Sequence, residues 1–319
     1  MKNKILDMII VVSFIILLGS ILVNKQLVFD IITYSLNVWV NTLIPSMFPF
    51  FVITDILINY NICDYIPNFV TKFFSCLFNI GKVSTTIFFL SLISGFPSSA
   101  RNIKNYFDKG MISLDEANHI LLFTHFSNPM FILTTIAVFF LNNEKYGFII
   151  LISHYLGNFI IGILLRNKST IDNRNYTRDN YVCQNFSKTL ISSIKSSIDT
   201  LLLILGTLTA FLIVSSFIVN LFNLPLYEGV ILKGILEMTM GLKDLSILNI
   251  NDIYKVVIST MFISFGGLSV HLQIISQIVD TDIKYGNFLV ARIYHALISG
   301  VIVYLLFYLI RKRKNFLNY

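Results

Sequence analysis

Apolar runs about as long as a bilayer is thick limit most strongly what this chain folds into. The clearest of them cover residues 5–23, 119–141, 147–165, 198–222 and 288–310. A helix needs about 20 predominantly apolar residues to cross the hydrocarbon core. Only 13% of the residues are charged, against about 25% in a soluble domain. The sequence therefore predicts an all-α polytopic membrane protein and excludes a disordered chain, a collagen-like chain and an ordinary cytosolic enzyme.

The positive charge of the chain lies in its loops and tails. The formal net charge is +7, but no basic groove with interleaved aromatic residues accompanies it, so nucleic acid is not an expected partner. Basic residues beside apolar runs set membrane orientation and contact anionic lipid headgroups. Membrane lipids are therefore the expected partners, and a homo-oligomer stays open.

Signatures of metal, redox and enzyme chemistry are missing from the sequence. Cys63, Cys76 and Cys183 lack the spacing of metal ligands or of a redox pair, so we interpret them as structural. There is no HExxH, no GxSxG and no phosphate-binding-loop lysine, and no pair of carboxylates shares helical spacing within a span. We expect no metal, no cofactor and no enzymatic activity.

Composition divides the chain into five parts. Residues 5–23 have a longer apolar core than a signal peptide and no clear cleavage site, which favours a retained transmembrane helix. The predicted parts are an N-terminal transmembrane helix at 1–26, a first membrane repeat at 27–165, a basic linker at 166–195, a second membrane repeat at 196–310 and a basic tail at 311–319.

Charge near the membrane gives a predicted topology. Lys and Arg mark the cytoplasmic side, so the N-terminus, the linker 166–195 and the tail 311–319 are all expected in the cytoplasm. One apolar run in each half must then fail to cross. The best candidates are 83–100, which ends in SGFPSS, and 253–270, which ends in SFGGLS. We predict that both re-enter the membrane and turn back.

The two breaks also predict an inverted-topology repeat, because the first would enter from the cytoplasm and the second from outside. An offset of 170 residues supports this pairing. It places Ile93, Ser94, Ser99 and His125 on Ile263, Ser264, Ser269 and His295. Apolar sequence of low complexity also produces such matches by chance.

The breaks are the predicted ligand site. Glycine and proline leave backbone groups unpaired near the bilayer midplane, where they bind a ligand, although small residues also permit tight helix packing. Histidine and asparagine within a span favour a functional site. The predicted ligand-binding residues are Ser94, Gly95, Pro97, Ser98, Ser99, His125, Asn128, Pro129, Ser264, Gly266, Gly267, Ser269 and His295.

Four other polar residues have more than one interpretation. Asp55 follows a proline-containing break, where its carboxylate either binds a coupling cation or caps the helix. Arg292 lies near the start of the last apolar run and is interpreted as an interfacial anchor rather than a ligand. His119 favours an interfacial position, and His154 stays open between a site and a structural hydrogen bond.

Three segments occur in an order that a known family shows. They are LIPSMFPFFVITDILI at 43–58, LISGFPSSARNIKNYFDKGMISLDEANHILLFTHFSNPMFIL at 92–133 and HYLGN at 154–158. Together they resemble the YlbJ-type sporulation integral membrane protein family, which is built on the nucleoside-recognition Gate domain. The resemblance covers most of residues 30–310.

The resemblance implies a protein of endospore formation. It would lie in the cell membrane or in the mother-cell or forespore membranes, and would be needed for maturation of the spore cortex. Gate domains are similar to the core of concentrative nucleoside transporters, which have inverted repeats and two re-entrant hairpins. Transport is implied by analogy, because a fold does not fix a function.

Two functional hypotheses follow. The first is a transporter-like carrier or channel for a small polar solute bound between the two breaks. The second is a non-transporting membrane scaffold that recruits sporulation partners through the basic linker and tail. The coupling ion of a carrier stays open, since the histidines favour a proton while Asp55 and exposed carbonyls favour sodium.

Overall fold

The computed structural model describes residues 2–166 and 185–317. They form fourteen α-helices: α1 Lys2–Val23, α2 Lys25–Val38, α3 Ile44–Asn59, α4 Asn68–Phe78, α5 Lys82–Ser94, α6 Ser98–Asp108, α7 Leu114–Leu121, α8 Glu144–Leu164, α9 Phe186–Leu221, α10 Leu226–Leu236, α11 Met238–Ile247, α12 Asp252–Phe265, α13 Gly267–Ile278 and α14 Tyr285–Leu317. π-Helical segments at Trp39–Leu43 and Phe131–Phe140 and a 3-10 turn at Ile62–Tyr65 connect some of them.

Six helices of the described chain are long and apolar enough to cross a membrane. They are Lys4–Val23, Lys25–Asn59, Glu144–Leu164, Phe186–Leu221, Asp252–Ile278 and Tyr285–Ile310. Each has at least 20 residues, which meets the roughly 20 that a bilayer core requires. The prediction of a polytopic helical membrane protein is confirmed.

Helices α8 and α14 run antiparallel and pack against each other. The ring of Tyr146 lies 5.6 Å from that of Phe307 at one end of the pair, and Asn158 contacts Arg292 further along. Leu164 and Ile310 therefore lie at opposite ends of the bundle. We call these the linker end, where α8 stops before the linker, and the tail end, where α14 leads into the basic tail.

This arrangement corrects the predicted topology. Because Glu144–Leu164 and Tyr285–Ile310 are each long enough to span and run antiparallel, the linker and the tail leave the bundle on opposite sides. The expectation that both are cytoplasmic does not fit this arrangement, and the side of the membrane that each one occupies stays a prediction. Counting positive charge failed here because both segments are basic, so charge alone did not distinguish the two sides.

The long helices α2–α3 and α9 also run antiparallel. Leu27 and Asn220 line one cleft together with Lys243, near the end of α11 that leads into α12 at the tail end. Further along, the Trp39 indole N–H donates to the Leu201 carbonyl at 2.8 Å. The end of α3 and the start of α9 therefore lie at the linker end.

The α5–α6 pair starts and ends at the linker end. Gly81, before α5, donates its backbone N–H to Glu116 of α7 at 2.8 Å, and α7 is bonded to the segment before α14. Near the end of α6, Tyr106 contacts Cys63 in the turn after α3. The pair thus enters from the linker end, turns at residues 95–97 and goes back. This is the course that the sequence assigned to 83–100.

The second half is built differently from the expectation. Helices α12 and α13 form one continuous candidate span, Asp252–Ile278, so the prediction that 253–270 turns back is wrong. Gly266 interrupts the span without reversing it, and the apolar run continues beyond the predicted boundary. The pair that turns back is α10–α11, whose backbones pack closely where Gly241 meets Gly234.

Aromatic packing fixes the first hairpin against the spans. Its rings fill the space between α4, α5, α7 and α8 at centroid separations of 4.9 to 6.3 Å. They belong to Phe74, Phe78, Phe88, Phe123, Phe126 and Phe159. Such aromatic pairs add to the burial of apolar area and hold the hairpin tip at a defined depth.

The boundaries of the predicted linker and tail differ from the helix ends. Helix α9 begins at Phe186, capped by Asn185, whose side chain accepts from the Ser187 N–H. The last ten residues of the predicted linker are therefore helical, while its residues 167–184 lie outside the described chain. Helix α14 continues to Leu317 through most of the predicted tail.

Candidate functional site

Four interruptions of helical backbone meet in the middle of the bundle. They are the α5–α6 tip at 95–97, the non-helical segment 122–128, the α10–α11 turn at Glu237 and the α12–α13 break at Gly266. Phe96 donates its N–H to the Phe126 carbonyl at 2.8 Å, and a Cβ on Gly266 would lie 2.8 Å from His125 Nε2. Irregular backbone at membrane depth is tolerated only when it is buried or lines a cavity. We call this region the central site.

Asn128 joins the first hairpin tip to the non-helical segment. Its Nδ2 donates to the Ile93 carbonyl at 3.1 Å, and its Oδ1 accepts from the Met130 N–H at 2.8 Å. The backbone approaches so closely that a Cβ on Gly95 would lie 2.6 Å from the Asn128 nitrogen, and Gly95 has a φ of +76°. Asn128 therefore positions the tip, and its polar atoms are occupied within the protein.

His125 lies between the interruptions of both halves. Its ring stacks on Phe96 at 4.5 Å and 10° and meets Phe288 edge-on at 5.2 Å. The residue is 1% exposed, and neither ring nitrogen has a hydrogen-bond partner in the described chain. Buried polar groups normally have a partner, so this imidazole keeps a donor and an acceptor for a ligand or water.

His154 and His295 are hydrogen-bonded to each other and to neighbouring residues of the central site. His154 Nε2 accepts from the Ser127 N–H at 2.9 Å, so its proton lies on Nδ1, which donates to Ser264 Oγ at 2.9 Å. His295 Nε2 donates to the His154 carbonyl and Nδ1 accepts from Arg292, both at 2.8 Å. The partners of His154 thus fix its tautomer, whereas His295 Nδ1 also lies 3.1 Å from the Ser264 carbonyl. His154 is a structural partner of the predicted residues Ser264 and His295.

Arg292 places a buried positive charge beside the histidines. It is 0% exposed, and its guanidinium donates to Asn158 Oδ1 at 3.0 Å, to His295 and to the Leu122 carbonyl. All these acceptors are neutral, and no carboxylate of the described chain forms a salt bridge with it. The interpretation of Arg292 as an interfacial anchor is wrong, because the side chain points into the bundle rather than to a membrane surface.

One curated relative matches nearly the whole chain. "Sporulation integral membrane protein YlbJ" of Bacillus subtilis (strain 168) is 25% identical over 340 residues, which cover 95% of this chain and 83% of the relative. This similarity over nearly the whole chain supports the resemblance to the YlbJ-type family. No family model and no solved structure matches the chain.

The remaining predicted residues divide into two groups. Ser94 is committed to its own helix, where Oγ donates to the Leu90 carbonyl at 2.9 Å, while Pro97 and Pro129 stand at the starts of helical segments. Ser98 and Ser269 are buried with hydroxyls that have no partner in the described chain. Ser99 is likewise buried. The serines just past each break, rather than Ser94, therefore keep polar atoms available.

Glu237 is a site residue that sequence reasoning missed. It is 3% exposed, lies at the α10–α11 turn, and accepts from the Met240 N–H at 2.8 Å. A Cβ on Gly267 would lie 3.5 Å from its Cα, so the second hairpin tip touches the α12–α13 break. The signal was a lone glutamate inside the apolar run 229–248, since such a group in a span usually faces the bundle interior.

The structure gives Asp55 a partner that neither alternative named. Its carboxylate pairs with Arg101 at 3.6 Å, and both side chains are less than a tenth exposed. It is therefore the counter-charge of a buried arginine on the first hairpin. His119, expected at the interface, is also buried, at 5% exposed.

Proposed function

We propose that this YlbJ-type chain works in sporulation as a carrier or channel that moves a small polar solute with an anionic group through the central site. Three features support the proposal: the buried positive charge of Arg292, the unpartnered imidazole of His125 and the convergence of four backbone interruptions. The solute would bind between the hairpin tips and the broken spans.

The buried charge of Arg292 is the observation that carries the proposal. A charged side chain at membrane depth is expensive, and such residues mark substrate or ion paths. Neutral acceptors solvate the guanidinium but leave its net charge uncompensated. A carboxylate or similar group of a bound solute would supply the missing counter-charge, while His125 would bond a second polar group of the same molecule.

The arrangement of the two halves supports a carrier. The first hairpin enters from the linker end and the second from the tail end, and α8 runs against α14. We propose a revised inverted repeat that pairs the hairpins α5–α6 and α10–α11, the interrupted segments 114–140 and 252–278, and α8 with α14. This pairing relates His154 to His295, which are 141 positions apart, and replaces the 170-residue offset. We propose that this pairing reflects a transporter-like Gate fold, with ligand binding at the midplane.

The proposed cellular role is taken from the relative. The B. subtilis protein is named as a sporulation integral membrane protein, and we propose that this chain serves spore maturation, including that of the cortex, from the cell or forespore membrane. A scaffold that acts through the basic linker and tail is the competing role, because residues 166–195 are polar and hold six Lys or Arg residues, and residues 311–314 are all basic.

Ligand-dependent thermal stability of the detergent-purified protein tests the binding site. A ligand that binds the native state raises its melting temperature by mass action. The panel contains nucleosides, nucleobases, amino acids, dipicolinate and other small carboxylates, and metal ions. We expect a shift with carboxylates that is lost in Arg292→Gln and reduced in His125→Leu. No shift with any compound, or an equal shift in Arg292→Gln, would overturn the proposal.

A control addresses the case in which Arg292→Gln does not fold. Arg292→Lys keeps the buried charge but loses the planar fork, so it should fold and retain a weaker shift.

For the cellular role, variants are expressed in a B. subtilis strain that lacks the relative. Loss of sporulation in Gly95→Val with a linker deletion tolerated supports the carrier. The reverse outcome supports the scaffold.

A further inference from the structure

Three helices enclose a polar seam between the central site and the linker end. Helix α13 packs against both α6 and α9. Arg101 of α6 donates to Thr200 of α9 at 3.1 Å, and Gln273 of α13 donates to Thr207 of α9 at 2.8 Å. Helices α6 and α13 both start at a central interruption and run to the linker end. The seam therefore begins at the site and ends at one surface.

Four side chains of these helices are buried without hydrogen-bond partners in the described chain. They are Ser98, Asn102, Ser193 and Ser269, of which none is more than 1% exposed. Asn102 is the most unusual, because both its amide nitrogen and its amide oxygen are unpartnered. Native proteins bury few such groups, and each one calls for a partner such as water or a ligand.

The polar side chains follow the helical repeat toward the linker end. On α6, Ser98 and Asn102 are one turn apart, and the next residue on that face, Asn105, is half-buried. On α13, Ser269 and Gln273 are buried and Gln277, one turn later, is half-buried. Residues at such spacing share one face of a helix. The polar faces of α6 and α13 thus become more exposed toward the linker end.

Tight helix packing does not explain the seam. Polar side chains between membrane helices usually bond one another across the interface, as Arg101 and Gln273 do with α9. The four unpartnered groups instead present donors and acceptors that apolar packing leaves unsatisfied, at a cost in free energy. Water or a polar solute in the seam removes that cost.

We propose that the seam is a hydrated route that connects the central site to the linker end and admits water and small hydrogen-bonding solutes. Its use by a transported solute rests on the proposed function. Its hydration does not. Asn102 is the residue that tests the route, since it is fully buried and lies one turn from the hairpin tip.

Cysteine labelling tests the route. Cys63, Cys76 and Cys183 are replaced by serine, and Asn102→Cys is compared with Ile103→Cys. Ile103 is the adjacent α6 residue, is also 0% exposed, and lies on another face of the helix. A membrane-impermeant charged thiol reagent reacts with the thiolate, which forms only where water reaches the sulfur. Asp108→Cys, at the exposed end of α6, marks labelling from the linker end.

The expected result is labelling of Asn102→Cys from the linker end only, at a rate within about tenfold of Asp108→Cys, with Ile103→Cys slower by about a hundredfold or more. Equal labelling of Asn102→Cys and Ile103→Cys, labelling from the tail end, or labelling of Asp108→Cys alone would overturn the route. Ser98→Cys repeats the comparison if Asn102→Cys does not fold. Labelling without protection by any ligand of the thermal panel would retain the route and count against the proposed carrier.

Discussion

The imidazole of His125 stacks on the ring of Phe96, with 4.5 Å between the centroids and 10° between the planes. This contact joins the non-helical segment 122–128 to the tip of the first hairpin, and the Nε2 edge of the imidazole lies beside Gly266. A movement of the hairpin therefore changes the environment of His125 directly. Through His125, the hairpin tip of the first half is thus connected to the α12–α13 break of the second half.

Removal of the Phe96 ring should loosen this link. Phe96 is 2% exposed, and Phe96→Leu loses the stacking and part of the packing, so we expect about 1–2 kcal/mol lower free energy of unfolding. The matched control is Phe139→Leu, at a ring that is 67% exposed. Unfolding in mixed micelles measures both. Equal effects of the two substitutions would show that the stacked pair does not hold the tip.

Gly157 sets the distance between α8 and α14. A Cβ there would overlap the hydroxyl of Ser299 and lie 2.8 Å from Cδ2 of His295, so Gly157→Ala should destabilise by about 1–3 kcal/mol through overpacking. Gly206→Ala is the control, since nothing lies within 4 Å of its Cβ position. It should be neutral or stabilising by up to about 1 kcal/mol, because alanine favours a helix. Equal melting temperatures for the two variants would contradict the α8–α14 packing.

The ion pair between Asp55 and Arg101 anchors the first hairpin to α3. Asp55→Asn leaves a buried guanidinium without its counter-charge, for which we expect a loss of about 3 kcal/mol. The control pair is Lys104–Asp108, in which the aspartate side chain is 50% exposed. Asp108→Asn should change stability by less than about 0.5 kcal/mol, because exposed pairs contribute little. If Asp55→Asn lowers the free energy of unfolding no more than Asp108→Asn does, the ion pair does not anchor the hairpin.

The linker and the tail should lie on opposite sides of the membrane. A protease site inserted within residues 167–184 and another placed after Tyr319 test this in intact spheroplasts and in inverted vesicles. Antiparallel α8 and α14 require that only one site is cut in each preparation. Cleavage of both sites in the same preparation would contradict the arrangement of these two spans.

Much of the bundle follows from the sequence, because long apolar runs have few ways to satisfy their backbone in a bilayer. The first hairpin was also predictable, since the apolar run 83–100 ends in SGFPSS, whose glycine and proline do not favour a continuous helix. The second hairpin was not. Its tip is a single glutamate between two short helices, and the more visible break at Gly266 lies inside a span that continues to Ile278.

The candidate site was predictable in its location but not in its chemistry. His125 and His295 stood out because ionisable residues in a span face the interior. Arg292 resembled an interfacial anchor because its depth in the membrane depends on where the last span begins. The sequence does not give that starting residue to within one helical turn. Asn128 resembled a ligand-binding residue, because nothing in the sequence reveals that its side-chain amide is already hydrogen-bonded to the backbone of Ile93 and Met130.

Solute uptake into proteoliposomes tests the central claim most directly. Vesicles with the wild-type chain, with Arg292→Gln and with His125→Leu are given labelled small carboxylates and neutral polar solutes of the same size. The account predicts that the wild type takes up a carboxylate faster than empty vesicles, and that both substitutions reduce this uptake while the proteins stay folded. Uptake that is no faster than in empty vesicles, or that is unchanged in Arg292→Gln, would contradict it.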